Sequence, residues 1–288
     1  MDMGAVGCLR RVRSAISVAR AVMEHTSQSL LVGEKATAFA TMAGFAEEGL
    51  ETDRSDEIHT AWRANKCQPN YFRDFPASNT SCPPYRLPRA EESGAAGFQS
   101  IVGSTHSTKS RGRRDANPGN SIKTRRGTGG DVNNEISRQN HDTIGMVALD
   151  KFGNLAAGTS TNGASHKVAG RVGDAAVPGA GCYVDNEVGA AASTGDGDIM
   201  MRFLPSFQAV NYMRAGLSPS AACEKALAPI AAKFPSFQGG LICVTKDGRH
   251  GAAAHGWLFH YSFQDPSLPS PRVVTVPPAS PRHLSRRP

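Results

Sequence analysis

The sequence predicts a layered fold of α-helices and β-hairpins, in the α/β or α+β class, rather than a Rossmann sheet. Two hairpin patterns support this prediction: TIGMVALD-KFGN-LAAGTSTNG, which starts at Thr143, and GGLICVT-KDG-RHGAAAHG, which starts at Gly239. In each of them, two apolar runs flank a short glycine-containing turn, as neighbouring antiparallel strands do. Segments with helical apolar spacing lie on both sides of the hairpins, and a layered architecture buries both kinds of element.

The first 140 residues predict helices followed by a long irregular stretch. A helix is expected over 8–25, because its apolar residues recur at a spacing near 3.6. Residues 29–34 (SLLVGE) predict a short strand or turn, and residues 36–45 resume the helical spacing. Prolines make 67–91 irregular, and 92–140 have the Ser-, Gly-, Arg- and Asn-rich composition of a flexible linker.

Strands and helices alternate after the first hairpin. A glycine-rich loop (GRVGDAAVPGAG) precedes two predicted strands, CYVDN and GAAASTGDGD. A helix over 199–216, kinked near Pro205, is expected next, and a second helix follows with Ser218 as N-cap and Pro219 at its first position. HGWLFHYSF predicts a further strand, and the Pro-, Ser- and Arg-rich residues 264–288 are expected to be disordered.

The positive net charge of +7 is concentrated outside the predicted folded parts. Segment 107–140 has eight Lys/Arg and three Asp/Glu, for a net +5, and segment 264–288 has four Arg and one Asp, for a net +3. The rest of the chain therefore carries −1, since 7 minus 8 leaves that value. This distribution does not favour nucleic-acid binding, which needs a basic folded face. The chain has no apolar run long enough for a membrane span, and its first residues lack the order of a signal peptide.

Six cysteines are present, none in a CxxC motif, so zinc binding is not expected. By spacing, Cys67 with Cys82 and Cys223 with Cys243 are plausible local disulfides, although buried free thiols would fit equally well. Asn79-Thr80-Ser81 matches a glycosylation acceptor and leans toward the secretory route.

Thr143 stands where the linker-like stretch meets a predicted strand, directly after Asp142. A threonine there could attack the preceding carbonyl and release the upstream chain. The new terminus would then carry both a hydroxyl nucleophile and an α-amine, with a pKa near ~7.7–8, to serve as its base. By position alone, a β-branched residue that simply begins a strand explains Thr143 better.

Several motifs in order resemble the glycosylasparaginases, or aspartylglucosaminidases, a family of N-terminal-nucleophile hydrolases. They are HDTIGMVALDKFGNLAAGTSTNG, GRVGDAAVPGAG, AAASTGDGD and RFLPSFQAV, with GAVGCLRRVRSAISVARAVMEHT and ANKCQPNYFR upstream. The resemblance covers about 3–91 and 140–253. It implies an αββα four-layer sandwich whose N-terminal part is truncated here. It divides the chain into an α-chain-like part (1–142, with 92–140 as basic linker), a catalytic β-chain part (143–263) and a divergent tail (264–288).

The same resemblance assigns the site. Thr143 becomes the nucleophile after cleavage between Asp142 and Thr143, and Thr161 hydrogen-bonds and tunes it. Thr194 and Gly195 form the oxyanion hole. The substrate contacts are Arg171, Asp174, Gly195, Asp196 and Gly197. Without the resemblance, these motifs would suggest a cross-strand threonine pair, a surface ion pair and a turn or calcium loop.

The resemblance implies hydrolysis of the amide between an asparagine side chain and N-acetylglucosamine, with no metal or organic cofactor. It also implies an (αβ)₂ assembly, the family disulfides Cys67–Cys82 and Cys223–Cys243, and a lysosomal location. From the charge distribution and the absence of a long apolar run, neither nucleic-acid nor membrane partners are expected. Cys8 and Cys182 have no family counterpart. Two alternatives stay open: a plain asparaginase or isoaspartyl peptidase, and a truncated, uncleaved and inactive chain.

Overall fold

A computed structural model describes residues 2–64 and 142–279. They form a mixed α+β structure. The strands are β1 (Ala5–Gly7), β2 (Leu30–Val32), β3 (Ile144–Leu149), β4 (Leu155–Ser160), β5 (Cys182–Asp185), β6 (Gly189–Gly195), β7 (Gly239–Thr245), β8 (His250–His255), β9 (Phe259–Phe263) and β10 (Arg272–Val276). The α-helices are α1 (Ala15–His25), α2 (Gly33–Met42), α3 (Asp53–Ala64), α4 (Gly197–Met200), α5 (Pro205–Arg214) and α6 (Pro219–Lys233). A 3₁₀ turn covers Asp174–Ala176. Among these helices, none combines the length and the apolarity that crossing a membrane requires.

The centre of the fold is an antiparallel sheet in the order β5-β6-β7-β8. Helices α5 and α6 pack on one of its faces. The core between helices and sheet contains Ala191 and Leu241 from the strands and Val210 and Ile230 from the helices, all fully buried. Alanine-rich β6 has side chains small enough to let the helices approach closely.

A disulfide joins Cys223 on α6 to Cys243 on β7, with their Cα atoms 6.6 Å apart. This is one of the two bridges that the family resemblance implies. It fastens the helical layer to the middle of the sheet, where both cysteines are fully buried. The other implied bridge, Cys67–Cys82, lies outside the described residues, as do Asn79 and the predicted linker.

Two hairpins pack against the central sheet through glycine positions. A methyl group at Gly145 of β3 would lie 3.2 Å from the Cβ atom of Ala192 on β6. A methyl group at Gly240 of β7 would lie 2.8 Å from the ring of Phe259 on β9. The missing side chains therefore allow the β3–β4 hairpin and the β9–β10 hairpin to sit close to the sheet.

Helix α1 covers only part of the first hairpin. Its Ile16 side chain approaches Gly158 of β4, where a methyl group would lie 3.1 Å from the Cδ1 atom of Ile16. The corresponding face of β3 is open, and Ile144 and Met146 are 70% and 65% exposed. Within residues 2–64 and 142–279, β3 pairs with β4 alone.

The hairpins around residues 150–154 and 246–248 are confirmed by the register of β3 with β4 and of β7 with β8. Ser218 caps α6 as predicted and accepts a hydrogen bond from the Ala221 amide. The helix expected over 8–25 begins only at Ala15. Residues before it form β1, which pairs in parallel with β2, and Cys8 and Arg11 adopt positive φ angles that a helix cannot contain.

Two other expectations are wrong in detail. The helix over 199–216 is split into α4 and α5, because Leu204, which precedes Pro205, has a left-handed backbone with φ +50°. The tail expected to be disordered contains β10, which pairs with β9. Its sequence RVVTV is β-branched, and the surrounding Pro and Ser residues concealed that signal in the composition.

Candidate active site

Thr143 and Thr161 face each other at the open end of the first hairpin. The register pairs Ile144 with Ser160, so the next residue on each strand is one of the two threonines. The Thr143 hydroxyl donates a hydrogen bond to the Thr161 hydroxyl, with 3.2 Å between the oxygens. The antiparallel pairing therefore brings together the two threonines that the sequence places in one site.

Asp142 extends this contact into a relay. The Thr161 hydroxyl donates to Oδ1 of Asp142 at 3.0 Å and accepts a hydrogen bond from the Gly163 amide at 2.9 Å. Oδ2 of Asp142 accepts from the Asn162 amide at 2.7 Å. The Asp142 carboxylate is thereby fixed at the base of the loop after β4, and the Thr143 proton points along a chain that ends on a negative charge.

Thr194 and Gly195 end strand β6 beside this hairpin. Alternation along β6 puts Thr194 on the same face as Ala192, the residue that contacts β3, and Thr194 is buried. Gly195 has φ +140°, and a Cβ atom there would overlap the Gln238 carbonyl oxygen. Only glycine fits this position, which turns the chain from the strand into the loop.

Arg171 lies in the loop before the 3₁₀ turn and forms an ion pair with Asp198. Its Nη2 is 2.7 Å from Oδ2 of Asp198, and its Nε is 3.1 and 3.3 Å from the two carboxylate oxygens. The Arg171 side chain is 16% exposed and that of Asp198 is 41% exposed. The motif alone would suggest a surface ion pair between Arg171 and Asp174. The Arg171 side chain is instead mostly buried, and its ion-pair partner is Asp198.

Asp174 is the most buried carboxylate of the site, with 5% of the residue exposed. Its Oδ2 atom is buried without a hydrogen-bond partner among the described residues. Burial raises the pKa of Asp174 to about 6, and the nearby charge of Arg171 offsets only part of this rise. A cationic donor is the group that would satisfy such an oxygen.

Gly197 lies against both Arg171 and Asp174. A methyl group there would overlap Oδ1 of Asp174 and lie 3.2 Å from Nη2 of Arg171. The neighbouring Asp196 is partly buried, and this burial raises its pKa, with the charge of Asp198 adding to the effect. The TGDGD segment therefore meets the Arg171 loop at a point that tolerates no side chain.

A cavity of about 160 Å³ lies between β1, α1 and β4, beside part of the site. Thr161, Gly163 and Arg171 line it, as does the free thiol of Cys182. Burial raises the pKa of this thiol. In the part of the chain that the structure describes, no cluster of three or more His, Cys, Asp or Glu side chains is arranged to hold a metal ion.

Three residues that make polar contacts within the site were not named by the sequence reasoning: Asp198, Asn162 and Gly163. Asp198 is the last letter of the TGDGD motif, and its role as partner of Arg171 depends on a contact 27 residues apart. The sequence offered one signal for this pair: the TGDGD motif has two acidic residues, and an arginine that is always charged needs a partner. The contacts of Asn162 and Gly163 are made by backbone amides, which no side-chain pattern indicates.

Comparison with known proteins gives the class and then the family. The family model described as "Asparaginase" matches residues 1–261, nearly the whole described fold, and this family has the N-terminal-nucleophile hydrolase fold. The chain belongs to the asparaginase family.

Two similar relatives are named N(4)-(beta-N-acetylglucosaminyl)-L-asparaginase. The protein from Mus musculus is 44% identical over 256 residues, which cover 88% of this chain and 64% of the relative. The protein from Rattus norvegicus is 43% identical over the same shares of both chains. The chain therefore spans just under two thirds of the length of these relatives.

Proposed function

We propose that this protein is an amidohydrolase that cleaves the bond between an asparagine side chain and N-acetylglucosamine, after cutting its own backbone before Thr143. The observation that carries the proposal is the relay from Thr143 through Thr161 to Asp142. The names of the relatives support the choice of substrate. The buried Arg171 and Asp174 suit the two charged groups that every free aspartyl unit carries.

The first step is an acyl shift at the Asp142–Thr143 bond. The Thr143 hydroxyl gives its proton to the Thr161–Asp142 relay as its oxygen attacks the Asp142 carbonyl carbon. The C–N bond then breaks, and the nitrogen takes up a proton. An ester now links the two residues, and water hydrolyses it to a carboxylate on Asp142 and a free hydroxyl on Thr143. The released α-amine is a base within reach of that hydroxyl, which is a recognised way to activate threonine.

The second reaction uses the same oxygen on substrate. The α-amine takes the hydroxyl proton while the Thr143 oxygen attacks the side-chain amide carbonyl. The negative charge that develops on the carbonyl oxygen is stabilised by the Thr194 hydroxyl and the Gly195 N–H. The proton passes to the leaving nitrogen, the glycosylamine departs, and water hydrolyses the acyl-enzyme to aspartate.

The substrate is held by its α groups. Arg171 binds the α-carboxylate, and Asp174 accepts from the α-ammonium through the oxygen that lacks a partner. Backbone of Gly195, Asp196 and Gly197 contacts the substrate between them. No step requires a metal or organic cofactor.

The finer architecture is part of the proposal. The order of packing, α5 and α6, then the central sheet, then the β3–β4 hairpin, then α1, supports an αββα four-layer sandwich. On this view residues 1–142 are the α-chain part and 143–263 the catalytic part, with 264–288 as a divergent extension that includes β10. The active form would be an (αβ)₂ assembly in the lysosome.

Mass spectrometry of the purified chain tests the proposal. Two chains that meet at Asp142 and Thr143 are expected, and Thr143→Ala should remain a single chain without amidase activity. Thr275→Ala is the matched control, because Thr275 is an exposed threonine on β10, a strand that contributes no residue to the site. A wild-type chain that stays intact, behaves like Thr143→Ala and has no amidase activity would refute the proposal and favour an inactive form.

A second candidate is a plain asparaginase or isoaspartyl peptidase, which the description of the matching family favours. The same Thr143 chemistry would serve it, since only the leaving group differs. Parallel assays on a glycosylated asparagine, on L-asparagine and on a β-aspartyl dipeptide separate the candidates by their kcat/KM values.

A further inference from the structure

Arg171 has most of its hydrogen-bonding edge occupied before any ligand arrives. Nε and Nη2 contact the Asp198 carboxylate at 2.7 to 3.3 Å, in the bidentate geometry that guanidinium and carboxylate prefer. Nη1 is the remaining terminal nitrogen. A ligand carboxylate must therefore bind an arginine whose charge is already paired.

Glycines fix the plane of this guanidinium. A methyl group at Gly173 would lie 2.6 Å from Nη1, and one at Gly163 would lie 3.0 Å from the same atom. The Gly163 amide in turn donates to Thr161, the partner of Thr143. Nη1 of Arg171 therefore lies beside Gly163, whose amide contacts the threonine pair.

The negative charge of Asp198 also acts on its neighbours. Burial is the main cause that raises the pKa of Asp174 and of Asp196; the charge of Asp198 adds to this rise, and the charge of Arg171 opposes it. Lys167 lies next to the loop, and its ammonium donates to the Asn162 carbonyl at 2.9 Å. Arg171 and Lys167 together face Asp174, Asp196 and Asp198, so the carboxylates outnumber the cations by one. This balance favours ligand cations and weakens the attraction for ligand anions.

We propose that Asp198 is a specificity-determining residue, which by neutralising Arg171 makes ligand binding depend on an α-ammonium group as well as an α-carboxylate. The inference rests on the proposed function for the identity of the ligand as an aspartyl unit. A carboxylate alone gains little at the paired arginine, whereas an ammonium at Asp174 also benefits from the charge of Asp198. The residue selects free α-amino acid units against simple dicarboxylates.

Three small ligands that share one carboxylate arm test this selection. L-aspartate has both α groups, succinate lacks the α-ammonium, and β-alanine lacks the α-carboxylate. Their dissociation constants are measured by titration calorimetry or NMR on the full chain at about pH 8, where Asp174, with a pKa of about 6, is ionised. Because all three ligands share this arm, its contribution to binding cancels when their dissociation constants are compared.

The decisive variant is Asp198→Asn, which keeps the shape and removes the charge. Succinate should bind about tenfold more tightly and β-alanine more weakly, since a charge-assisted contact typically changes affinity by at least that factor. Asp198→Glu should keep the wild-type order. Asp185→Asn is the matched control, because Asp185 pairs with Arg214 at the surface, outside the site.

Parallel weakening of all three ligands in Asp198→Asn would indicate a structural role only, and an unchanged succinate to β-alanine ratio would equally overturn the inference. A wild-type chain that binds none of the ligands overturns it too. Because binding needs no turnover, its failure is separable from that of the proposed function. A chain that hydrolyses substrate but shows no such selectivity contradicts the role of Asp198 alone, and one that binds selectively but never hydrolyses contradicts the activity alone.

Discussion

The Thr161 hydroxyl stands between Thr143 and Asp142, accepting a hydrogen bond from one and donating to the other. This single side chain connects the two residues on either side of the bond that the proposed reaction cuts. It can take a proton from the attacking oxygen only if its own proton passes to the Asp142 carboxylate. Thr161 is therefore the most informative residue at which to test the order of events.

Thr161→Ala should slow self-cleavage by about 10²-fold, because removing a positioned proton acceptor commonly has an effect of this size. Thr161→Ser keeps the hydroxyl and should cleave at a rate near that of the wild type. The cleaved fraction over time is read from intact-protein mass spectra. Equal rates for Thr161→Ala and the Thr275→Ala control would contradict the relay.

Asp174 predicts a pH dependence of catalysis. Its pKa is raised to about 6 by burial, and its ionised form is needed to bind an ammonium group. The value of kcat/KM should fall about tenfold per pH unit below that point, as for any free enzyme with one essential base. Asp174→Asn should have low activity throughout and lack this limb. A wild-type profile that stays flat from pH 7 to about 5 would exclude the assignment.

Stability should respond to Asp174 in a defined direction. A carboxyl whose pKa is raised in the folded state binds its proton more tightly there than in the unfolded chain. The ionised group therefore destabilises the fold, and this cost grows as the pH rises from about 4 to about 6. Asp174→Asn should gain Tm relative to the wild type over this window and show little difference below it.

Asp185 provides a control of opposite sign for this measurement. A hydrogen bond from the Glu187 amide and the nearby Arg214 lower its pKa. Asp185→Asn should then lose Tm at neutral pH, with the loss vanishing as the pH falls below the normal range of the group. If Asp174→Asn and Asp185→Asn changed Tm in the same direction, the opposite pKa shifts of the two carboxyl groups would be contradicted.

Gly195→Ala should destabilise the protein by about 2 kcal/mol or more, because the residue combines φ +140° with an overlap on the Gln238 carbonyl. Gly216→Ala is the control. Its φ is +90°, but no atom lies within 4 Å of the added methyl, so only a backbone cost of about 1 kcal/mol is expected. Urea unfolding measures both, and similar losses would mean that the overlap has no effect.

The disulfide between Cys223 and Cys243 closes a short loop across α6 and β7. Replacing both cysteines by serine should lower the free energy of unfolding by about 3 kcal/mol, the usual effect for a loop of this length. Serine at Cys8, a free cysteine outside this core cluster, should have a much smaller effect. A double variant as stable as the wild type under non-reducing conditions would argue that the bridge does not form.

Local patterns predicted the elements whose signals are contained in a few residues. The hairpin after Thr143 has its turn and both strands within one short stretch, and the cap at Ser218 needs only the next three residues. The start of α1 could not be predicted from its periodicity, because the parallel pairing of β1 with β2 competes for the residues before Ala15.

The candidate site divides in the same way. The family resemblance named Thr143, Thr161, Arg171 and Asp174, and the strand register accounts for the contact between the two threonines. Asp198 was not predicted, because its partner Arg171 is 27 residues away in the sequence. The resemblance assigned substrate contacts only to its neighbours Asp196 and Gly197. Packing at the glycines decides which of several carboxylates pairs with Arg171. Residue spacing along the sequence does not reveal such packing.

The uncovered face of β3 gives the proposed cleavage a second effect. Ile144 and Met146 leave an apolar strip at a strand that, within the described residues, has one paired edge. Such strips invite strand-to-strand association unless a charge interrupts them. A cut before Thr143 would place a partly protonated amine at the end of this strip. The reaction that creates the nucleophile would then also add a positive charge that opposes strand-to-strand association.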